Sequence, residues 1–216
     1  MAIKQSSLII GRQPLVEALE TGRPIDKILM QKNISGDVIA VIRQLARDKN
    51  IPIQLVPPEK LHALTRANHQ GIVAFAALVQ YMDLQQVIDH VVSNGQVPLF
   101  IMLDGVTDVR NIGAIARSAY CCGAQALIIP DKGVGALNEE AMKSSAGALE
   151  YIHVCRVNSL LKAVDTLHLN GIQVFTSEMR AEKKVYELHF NDPCCVIMGD
   201  EGKGVHSLEG DALSLP

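Results

Sequence analysis

The sequence predicts an α/β protein with two domains: a small N-terminal αβ domain and a larger domain built on a mostly parallel sheet. Short apolar, β-rich runs alternate with helical patterns along the chain. After Pro98 these runs are continuously apolar, as in strands that are buried on both faces. A chain of 216 residues, with 48% hydrophobic and 20% charged residues, can form two compact domains, each with its own core.

Residues 1–77 are predicted to form the small domain. Its elements are strands over Ser7–Ile10, Lys27–Met30, Ile53–Val56 and Gly71–Leu78, with helices over Pro14–Thr21 and Asp37–Lys49. Asp37 is the expected cap of the second helix. Residues 78–97 are expected to be a linker, because Tyr81–Gln96 has a helix-like pattern that ends at Gly95.

Residues 98–216 are predicted to form the parallel-sheet domain. Its strands are Leu99–Leu103, Ala126–Ile129, Ile152–Val154, Gln173–Thr176 and Cys194–Met198, and its helices are Ile112–Cys122, Glu139–Ser144 and Leu160–Leu169. In open sheets of this kind the ligand binds outside the carboxyl ends of the strands. The residues that follow each strand are therefore the place to look for a site.

Composition narrows the functional classes. No apolar run approaches the roughly 20 residues that span a bilayer, so no membrane partner is expected, and the start is too short for a signal peptide. Five cysteines without a CxxC pattern are expected to be reduced and mostly buried, which favours the cytoplasm. With no Trp and 4% aromatic residues, a binding surface of stacked rings is not expected.

The charge is unevenly distributed. Residues 1–75 hold 10 Lys/Arg and 6 Asp/Glu, whereas residues 76–216 hold 10 Lys/Arg and 17 Asp/Glu. A basic first part beside an acidic second part favours phosphate contacts by the first, although ordinary surface variation would also give such a difference.

Three constellations stand out, and the first two directly follow predicted strands. The run DGVTDVRNIGAIARSA begins at Asp104 and opens a helix that carries Asn111 and Arg117; Arg117 is either paired in a structural salt bridge or serves as an anion clamp. The run IMGDEGKG, with Gly199 and Glu201, is a Gly-rich loop that matches neither a Walker nor a dinucleotide motif. The run KSSAGALE from Lys143 has the small residues of close packing, and no histidine pair has metal-ligand spacing.

Together these runs closely resemble the motifs of the SpoU/TrmH-like RNA 2′-O-ribose methyltransferases of the SPOUT superfamily, in their order. GRQPLVEALETGRPIDKILM and HQGIVA resemble that family's N-terminal RNA-binding domain. The resemblance covers nearly the whole chain. It implies S-adenosylmethionine as cofactor, a C-terminal trefoil knot, a homodimer and a structured RNA substrate, expected to be ribosomal RNA.

The resemblance also assigns residues. Asn111, Arg117 and Glu201 match catalytic positions, and Thr176, Gly199 and Leu215 match cofactor contacts; no metal is implied. The chain departs from the family pattern at Val109, where proline is usual. It also stops at Pro216, inside the third motif, so the C-terminal part of the catalytic domain is expected to be missing and the knot incomplete.

The expected reaction is an in-line displacement by a ribose 2′-hydroxyl at the methyl carbon of the sulfonium, driven largely by positioning. A guanidinium stays protonated, so Arg117 is expected to hold an RNA phosphate and stabilise a developing alkoxide. Asn111 and Glu201 would orient it, with Glu201 as its ionic partner.

Other interpretations stay open at this point. The chain could be an RNA-binding module with incomplete or lost methyltransferase activity, or it could methylate ribose in transfer RNA. A SPOUT enzyme that methylates a base is a further alternative. A dinucleotide-dependent enzyme is disfavoured, because no G-x-G-x-x-G follows Leu99–Leu103.

Overall fold

The structure is a computed structural model that describes residues 8–131, 133, 137–177, 184, 187, 190–202 and 204–205. The chain divides into two compact units, with the boundary between Leu78 and Val79. No helix in the described part of the chain combines the length and the apolar character needed to cross a membrane.

The N-terminal unit is a four-stranded sheet with three helices. Its elements are β1 (Leu8–Ile10), α1 (Arg12–Glu20), β2 (Ile25–Gln31), α2 (Asp37–Asp48), β3 (Ile53–Val56), α3 (Pro58–Leu64) and β4 (Ile72–Ala76). The strand order is β1-β4-β2-β3, with β4 antiparallel to both neighbours and β2 parallel to β3. The carboxyl ends of β1, β2 and β3 therefore lie at the same edge as the amino end of β4.

Both faces of this sheet are covered. Residues of α1 and α2, such as Leu15 and Ile42, pack with Ile28 and Ile72 on one face, and Leu61 of α3 packs against the other. The short helix α3 was not predicted, since seven residues show no clear periodicity. Its start is favoured by proline, which loses no hydrogen bond in a first helical turn.

The expected cap of α2 was wrong. Gly36 is the N-cap residue and no side chain caps the helix. Asp37 is instead the first helical residue, where its negative charge is favourable beside the helix dipole.

The C-terminal unit is a six-stranded, entirely parallel sheet. Its elements are β5 (Tyr81–Met82), α4 (Leu84–Ser93), β6 (Leu99–Leu103), α5 (Val109–Cys121), β7 (Ala126–Pro130), α6 (Glu139–Ser144), β8 (His153–Val157), α7 (Leu160–Leu169), β9 (Gln173–Thr176) and β10 (Cys194–Met198). The strand order is β5-β8-β7-β6-β10-β9. Every pairing is parallel, which confirms the predicted parallel-sheet domain.

Helices cover both faces of this sheet as well. Apolar residues of α4 and α7, including Val87 and Leu167, pack on one face, and those of α5 and α6, including Ile112 and Ala141, pack on the other. The central strands contribute fully buried residues such as Phe100. Burial on both faces explains why these strands are continuously apolar in sequence.

Residues 78–97 are not a free linker. Tyr81 and Met82 form the edge strand β5 beside β8, and α4 buries Leu84, Val87, Ile88 and Val91 in the core of the C-terminal unit. The one-sided apolar pattern of this segment therefore marks a packed helix, and the segment belongs to the second unit.

None of the five cysteines, all of which lie among the described residues, forms a disulfide. Cys155, Cys194 and Cys195 are buried in strands, whereas Cys121 and Cys122 are exposed where α5 ends. Burial raises the pKa of the Cys155 thiol to about 12 and raises that of Cys195 still further.

The strand order changes direction between β6 and β10. The chain proceeds from β6 through β7 to β8 in one direction, passes to β9 at the far edge, and returns with β10 between β9 and β6. A ligand crevice is expected outside the carboxyl ends of strands at such a switch point. These ends are followed by Asp104 on β6 and Gly199 on β10.

Candidate functional site

The carboxyl ends of β6 and β10 are tied directly together. Asp104 is only 2% exposed, and its backbone N–H donates to the carbonyl of Met198 over 2.9 Å. Gly105 follows with a φ of +77°, a left-handed conformation that suits glycine and turns the chain away from the sheet. The loop that leads to α5 thus starts beside the Gly-rich loop.

Asp108 sets the start of α5. Its carboxylate accepts a hydrogen bond from the backbone N–H of Arg110 at 2.9 Å and from the Arg110 guanidinium at 3.1 Å. These hydrogen bonds lower the pKa of the Asp108 carboxyl group, and they fix the helix start without the proline that the family usually has one residue later. The helix begins at Val109, three residues earlier than predicted.

Asn111 and Arg117 lie on α5, and both are exposed. Among the residues that the structure describes, no carboxylate or carbonyl pairs with the Arg117 guanidinium. The ion pair hypothesised between Arg117 and Glu201 is therefore not formed here. Of the two roles left open for Arg117, the structural salt bridge finds no support in the described part of the chain.

The Gly-rich loop is a tight hairpin. Asp200 and Gly204 exchange two backbone hydrogen bonds of 2.9 Å each, and the N–H of Gly202 donates to the Asp200 carboxylate over 2.9 Å. Glu201 is exposed at the tip of this hairpin. A Cβ on Gly199 would clash with the backbone of Gly204 and Val205, so only glycine allows the chain to return this closely.

Thr176 stands beside this hairpin, at the end of β9. It is half-buried and aligned with Ile197 of β10, and the next residue, Ser177, donates its N–H to the Ile197 carbonyl over 3.0 Å. Thr176 and Gly199 are thus brought to the same edge of the sheet. Leu215 lies outside the described residues.

The described groups at this edge fit a nucleoside cofactor. They include a threonine hydroxyl and backbone polar groups beside a glycine hairpin, which are neutral hydrogen-bonding partners of the kind that recognise a base and a ribose. The carboxylates of Asp104, Asp200 and Glu201 lie at the same edge. No cluster of His, Cys, Asp or Glu suited to a metal ion occurs among the described residues. These residues would hold S-adenosylmethionine through its adenosine part.

The small residues of KSSAGALE serve close packing. A Cβ on Gly113 of α5 would clash with Ser144 and with the backbone of Ala141, so α5 and α6 approach each other very closely. Ser145 is fully buried, and its hydroxyl donates to the carbonyl of Met142 over 2.9 Å. The run therefore anchors the helix that carries Asn111 and Arg117.

A stacked pair of exposed tyrosines was not predicted from the sequence. Tyr120 and Tyr151 stack with ring centroids 5.7 Å apart, and they are 45% and 68% exposed. Tyr120 follows Arg117 by three residues, a spacing that places both on one side of α5 and could have indicated it. The low aromatic content gave no hint that a stacked, exposed pair would form.

The chain matches two family models in chain order. Residues 98–214 match the SpoU rRNA Methylase family, and residues 8–82 match the RNA 2'-O ribose methyltransferase substrate binding domain. A TrmH family relative from Staphylococcus aureus (strain MSSA476) is 34% identical over 207 residues, which is 96% of this chain and 84% of the relative. The TrmH family relative YacO from Bacillus subtilis (strain 168) is 32% identical over 206 residues, 95% of this chain and 82% of YacO.

Solved structures share the fold. The SpoU methyltransferase AviRb from Streptomyces viridochromogenes, in complex with AdoMet, aligns with a TM-score of 0.53 and 22% identity over 97% of this chain and 83% of its own. An AdoMet-bound rRNA methyltransferase from Sinorhizobium meliloti gives a TM-score of 0.52 and 20% identity over 97% and 81%. The fold and the matched models define an S-adenosylmethionine-dependent RNA 2′-O-methyltransferase. The chain belongs to the SpoU rRNA Methylase family, within the SpoU/TrmH group.

Proposed function

We propose that this chain methylates the 2′-hydroxyl of a ribose in ribosomal RNA. The observation that supports the proposal most is the arrangement at the switch point. An exposed Arg117, unpaired among the described residues, lies on a helix that packs tightly against α6, and the loop that leads into this helix starts beside the glycine hairpin at the carboxyl edge of β6 and β10. The match of residues 98–214 to a family described by rRNA supports ribosomal RNA as the substrate, and transfer RNA is the alternative because the TrmH family relatives are described by both tRNA and rRNA.

Thr176, Gly199 and Leu215 are the proposed cofactor contacts. When bound, S-adenosylmethionine supplies an electrophilic methyl group. The threonine hydroxyl and the backbone of the hairpin would orient the cofactor, and the closed turn at Gly199 keeps that backbone in one conformation.

Arg117 is proposed to bind the RNA phosphate next to the reacting ribose. Its guanidinium is a planar fork that stays protonated, so it can hold an anion and stabilise negative charge that develops on the 2′-oxygen. Asn111, six residues and therefore about 1.7 turns earlier on the same helix, would add a neutral hydrogen bond. Glu201, at the hairpin tip, would orient the Arg117 side chain once RNA is bound.

The oligomeric state and the cellular compartment of the protein are proposals as well. We infer a homodimer, which native mass spectrometry tests directly, and we place the protein in the cytoplasm because its cysteine pattern in the sequence is not that of a disulfide framework. The trefoil knot also stays a prediction, because the residues after 205 lie outside the described part.

The deciding experiment measures transfer of labelled methyl groups from S-adenosylmethionine to unmodified ribosomal RNA and, separately, to unmodified transfer RNA. Label that resists alkaline cleavage at one ribosomal nucleotide would support the proposal, because a 2′-O-methyl group blocks attack by that oxygen. Label in transfer RNA alone would reassign the substrate. Binding of ribosomal RNA without transfer would favour the interpretation as an RNA-binding module.

Arg117→Lys tests the role of the guanidinium. A lysine keeps the charge but loses the two-pronged geometry, so most of the transfer activity should be lost while the affinity for S-adenosylmethionine, measured by calorimetry, stays unchanged. Arg110→Lys, a change of the same type on the same helix, keeps the backbone hydrogen bond to Asp108 that caps α5 and should keep its activity. Near-normal turnover by Arg117→Lys would contradict the proposed role.

A further inference from the structure

Tyr120 and Tyr151 form a flat aromatic surface on the C-terminal unit. Their rings stack with centroids 5.7 Å apart and planes inclined by 25°, and the two residues are 45% and 68% exposed. The other ring pairs among the described residues meet edge-on, with interplanar angles of 63°, 89° and 64°. A stacked pair can be extended by a third flat group, and the high exposure of Tyr151 leaves its outer ring face open for one.

The backbone on either side holds both tyrosines in place. Tyr120 lies in the last turn of α5, directly after the buried Ala119. Tyr151 follows a single 3₁₀ turn, its N–H donates to the carbonyl of Ala148 over 3.1 Å, and the next residue, Ile152, is buried. A tyrosine has few rotatable bonds, so a ring on a fixed backbone loses little conformational entropy when a ligand stacks on it.

A cation lies one helical turn from this surface. Arg117 precedes Tyr120 by three residues on α5, a spacing that puts the two Cβ atoms about 5–6 Å apart on one side of the helix. The Arg117 guanidinium has no carboxylate partner within the part of the chain that the structure describes. One nucleotide spans such a distance, so a phosphate held by Arg117 brings a neighbouring base within reach of the tyrosine rings.

The charge around the tyrosines favours a base over a second phosphate. Glu150 is exposed directly before Tyr151, and residues 144–155 contain no Lys or Arg. A carboxylate repels a phosphate, whereas the face of a tyrosine ring binds a base by stacking and needs no charge. An RNA whose target nucleotide is drawn out of its stack leaves neighbouring bases without a partner, and aromatic side chains replace that partner.

We propose that Tyr120 and Tyr151, together the tyrosine platform, bind a nucleobase of the RNA that flanks the nucleotide held by Arg117. The base extends the stack on the open face of Tyr151. Every base has a flat π face, so the platform selects an unpaired nucleotide and not a particular base. The inference rests on the proposed function, because it names the kind of RNA that the site accepts.

The test compares the binding of a single-stranded oligoadenylate with that of an abasic ribose-phosphate oligomer of the same length. Fluorescence anisotropy of end-labelled oligomers measures the affinity of the full chain for each. The wild type should bind the oligoadenylate about fivefold more tightly or better, because stacking one base on an aromatic ring contributes at least that much.

Variants at Tyr151 separate the ring from its apolar volume. Tyr151→Phe keeps a flat ring and should keep the preference for the oligomer that carries bases. Tyr151→Leu keeps an apolar side chain without a ring and should lose the preference. Leu169→Ala is the matched control, since it removes an apolar side chain that is 88% exposed in the same unit, and it should behave as the wild type.

Intrinsic fluorescence gives an independent readout of stacking. The chain has four Tyr and no Trp, so its emission comes from tyrosine. The oligoadenylate should quench part of this emission and the abasic oligomer none. Tyr151→Phe should bind the oligoadenylate as tightly as the wild type but show a smaller quench.

Steady-state methyl transfer connects the platform to the reaction. Tyr151→Leu should raise the KM for ribosomal RNA by about tenfold and leave kcat nearly unchanged, as expected for a contact that is equally strong in the ground state and the transition state. Its urea midpoint should equal that of the wild type, because the side chain is exposed.

The outcomes separate the inference from the proposed function. Equal binding of the two oligomers by the wild type, or an unchanged preference in Tyr151→Leu, would overturn the inference alone if the wild type methylates ribosomal RNA. If base preference is absent and Tyr151→Leu changes the oligomeric state in native mass spectrometry, the tyrosines belong to a contact between copies of this chain. A wild type that prefers the oligoadenylate but transfers no methyl group to ribosomal or transfer RNA would instead overturn the proposed function.

Discussion

Gly113→Ala isolates the contact between α5 and α6. The added methyl group would overlap Ser144 Oγ and the carbonyl oxygen of Ala141, with the amide nitrogen of Ser145 also in tight contact. Because two of the three neighbours are backbone atoms, no side-chain rotation can relieve the clash and the two helices must separate. Ser118→Ala, an exposed position on the same helix, is the control.

Two opposing contributions decide whether Gly113→Ala raises or lowers the free energy of unfolding. Overpacking of a tight contact costs about 1–3 kcal/mol, whereas glycine to alanine in a helix gains about 1 kcal/mol. We expect the free energy of unfolding to fall by about 1 kcal/mol. With a denaturant slope of about 2 kcal/mol/M, the urea midpoint should drop by about 0.5 M.

The change should also affect catalysis under conditions in which the variant is folded. A shift of α5 moves Asn111 and Arg117 together, and a misplacement of about 1 Å can cost on the order of a hundredfold in rate. Labelled methyl transfer should therefore fall more than the folded fraction does. If Gly113→Ala raises the urea midpoint, as it would at an unobstructed helical position, the close approach of the two helices is wrong.

Three further outcomes are expected. Asn138→Ala removes the side-chain oxygen that accepts two N–H groups at the start of α6, so unfolding in urea should require about 1 kcal/mol less. Because desolvation and a neighbouring histidine lower the pKa of His69, the unfolded chain binds this proton more readily. The free energy of unfolding should thus fall as the pH drops from about 7.5 to about 5.5, through the ordinary histidine pKa of about 6.5, and fall less in His69→Asn. In the native protein a thiol reagent should modify Cys121 and Cys122 quickly and Cys155 only after urea is added; rapid native reaction of Cys155 would contradict its burial.

The local pattern of apolar residues in the sequence predicted most of the strands and helices. Four strands were predicted with the bounds that the structure gives, because short, mostly apolar runs between turn residues leave little ambiguity. They are Ile53–Val56, Leu99–Leu103, Gln173–Thr176 and Cys194–Met198. The edge strand Tyr81–Met82 was missed, since two residues carry no periodic signal and their pairing with β8 is set by tertiary contacts.

The candidate site was predictable in its residues and not in its geometry. Apolar strands followed by glycine and polar residues locate Gly199 and Asn111 at the carboxyl edge, and the topology brings these loops to the switch point. The sequence could not show that Arg117 and Glu201 form no ion pair in this structure, because side-chain pairing between residues far apart in sequence depends on their exact placement. Nor could it show that the space beside Gly199 is filled by the returning chain.

The place of β10 within the sheet has a consequence for synthesis. Cys194–Met198 is the last described strand along the chain, yet it lies between β6 and β9, so the ribosome must deliver it before the two parts of the sheet can join. The N-terminal unit can complete its own core much earlier. Until β10 arrives, the apolar strands β6 and β9 each carry an unpaired edge, which is the kind of surface that chaperones protect and that aggregates when left open. A protein truncated before Cys194 should consequently fold its N-terminal unit but leave the C-terminal sheet incomplete. We expect such a protein to be insoluble, and not a soluble enzyme with reduced activity.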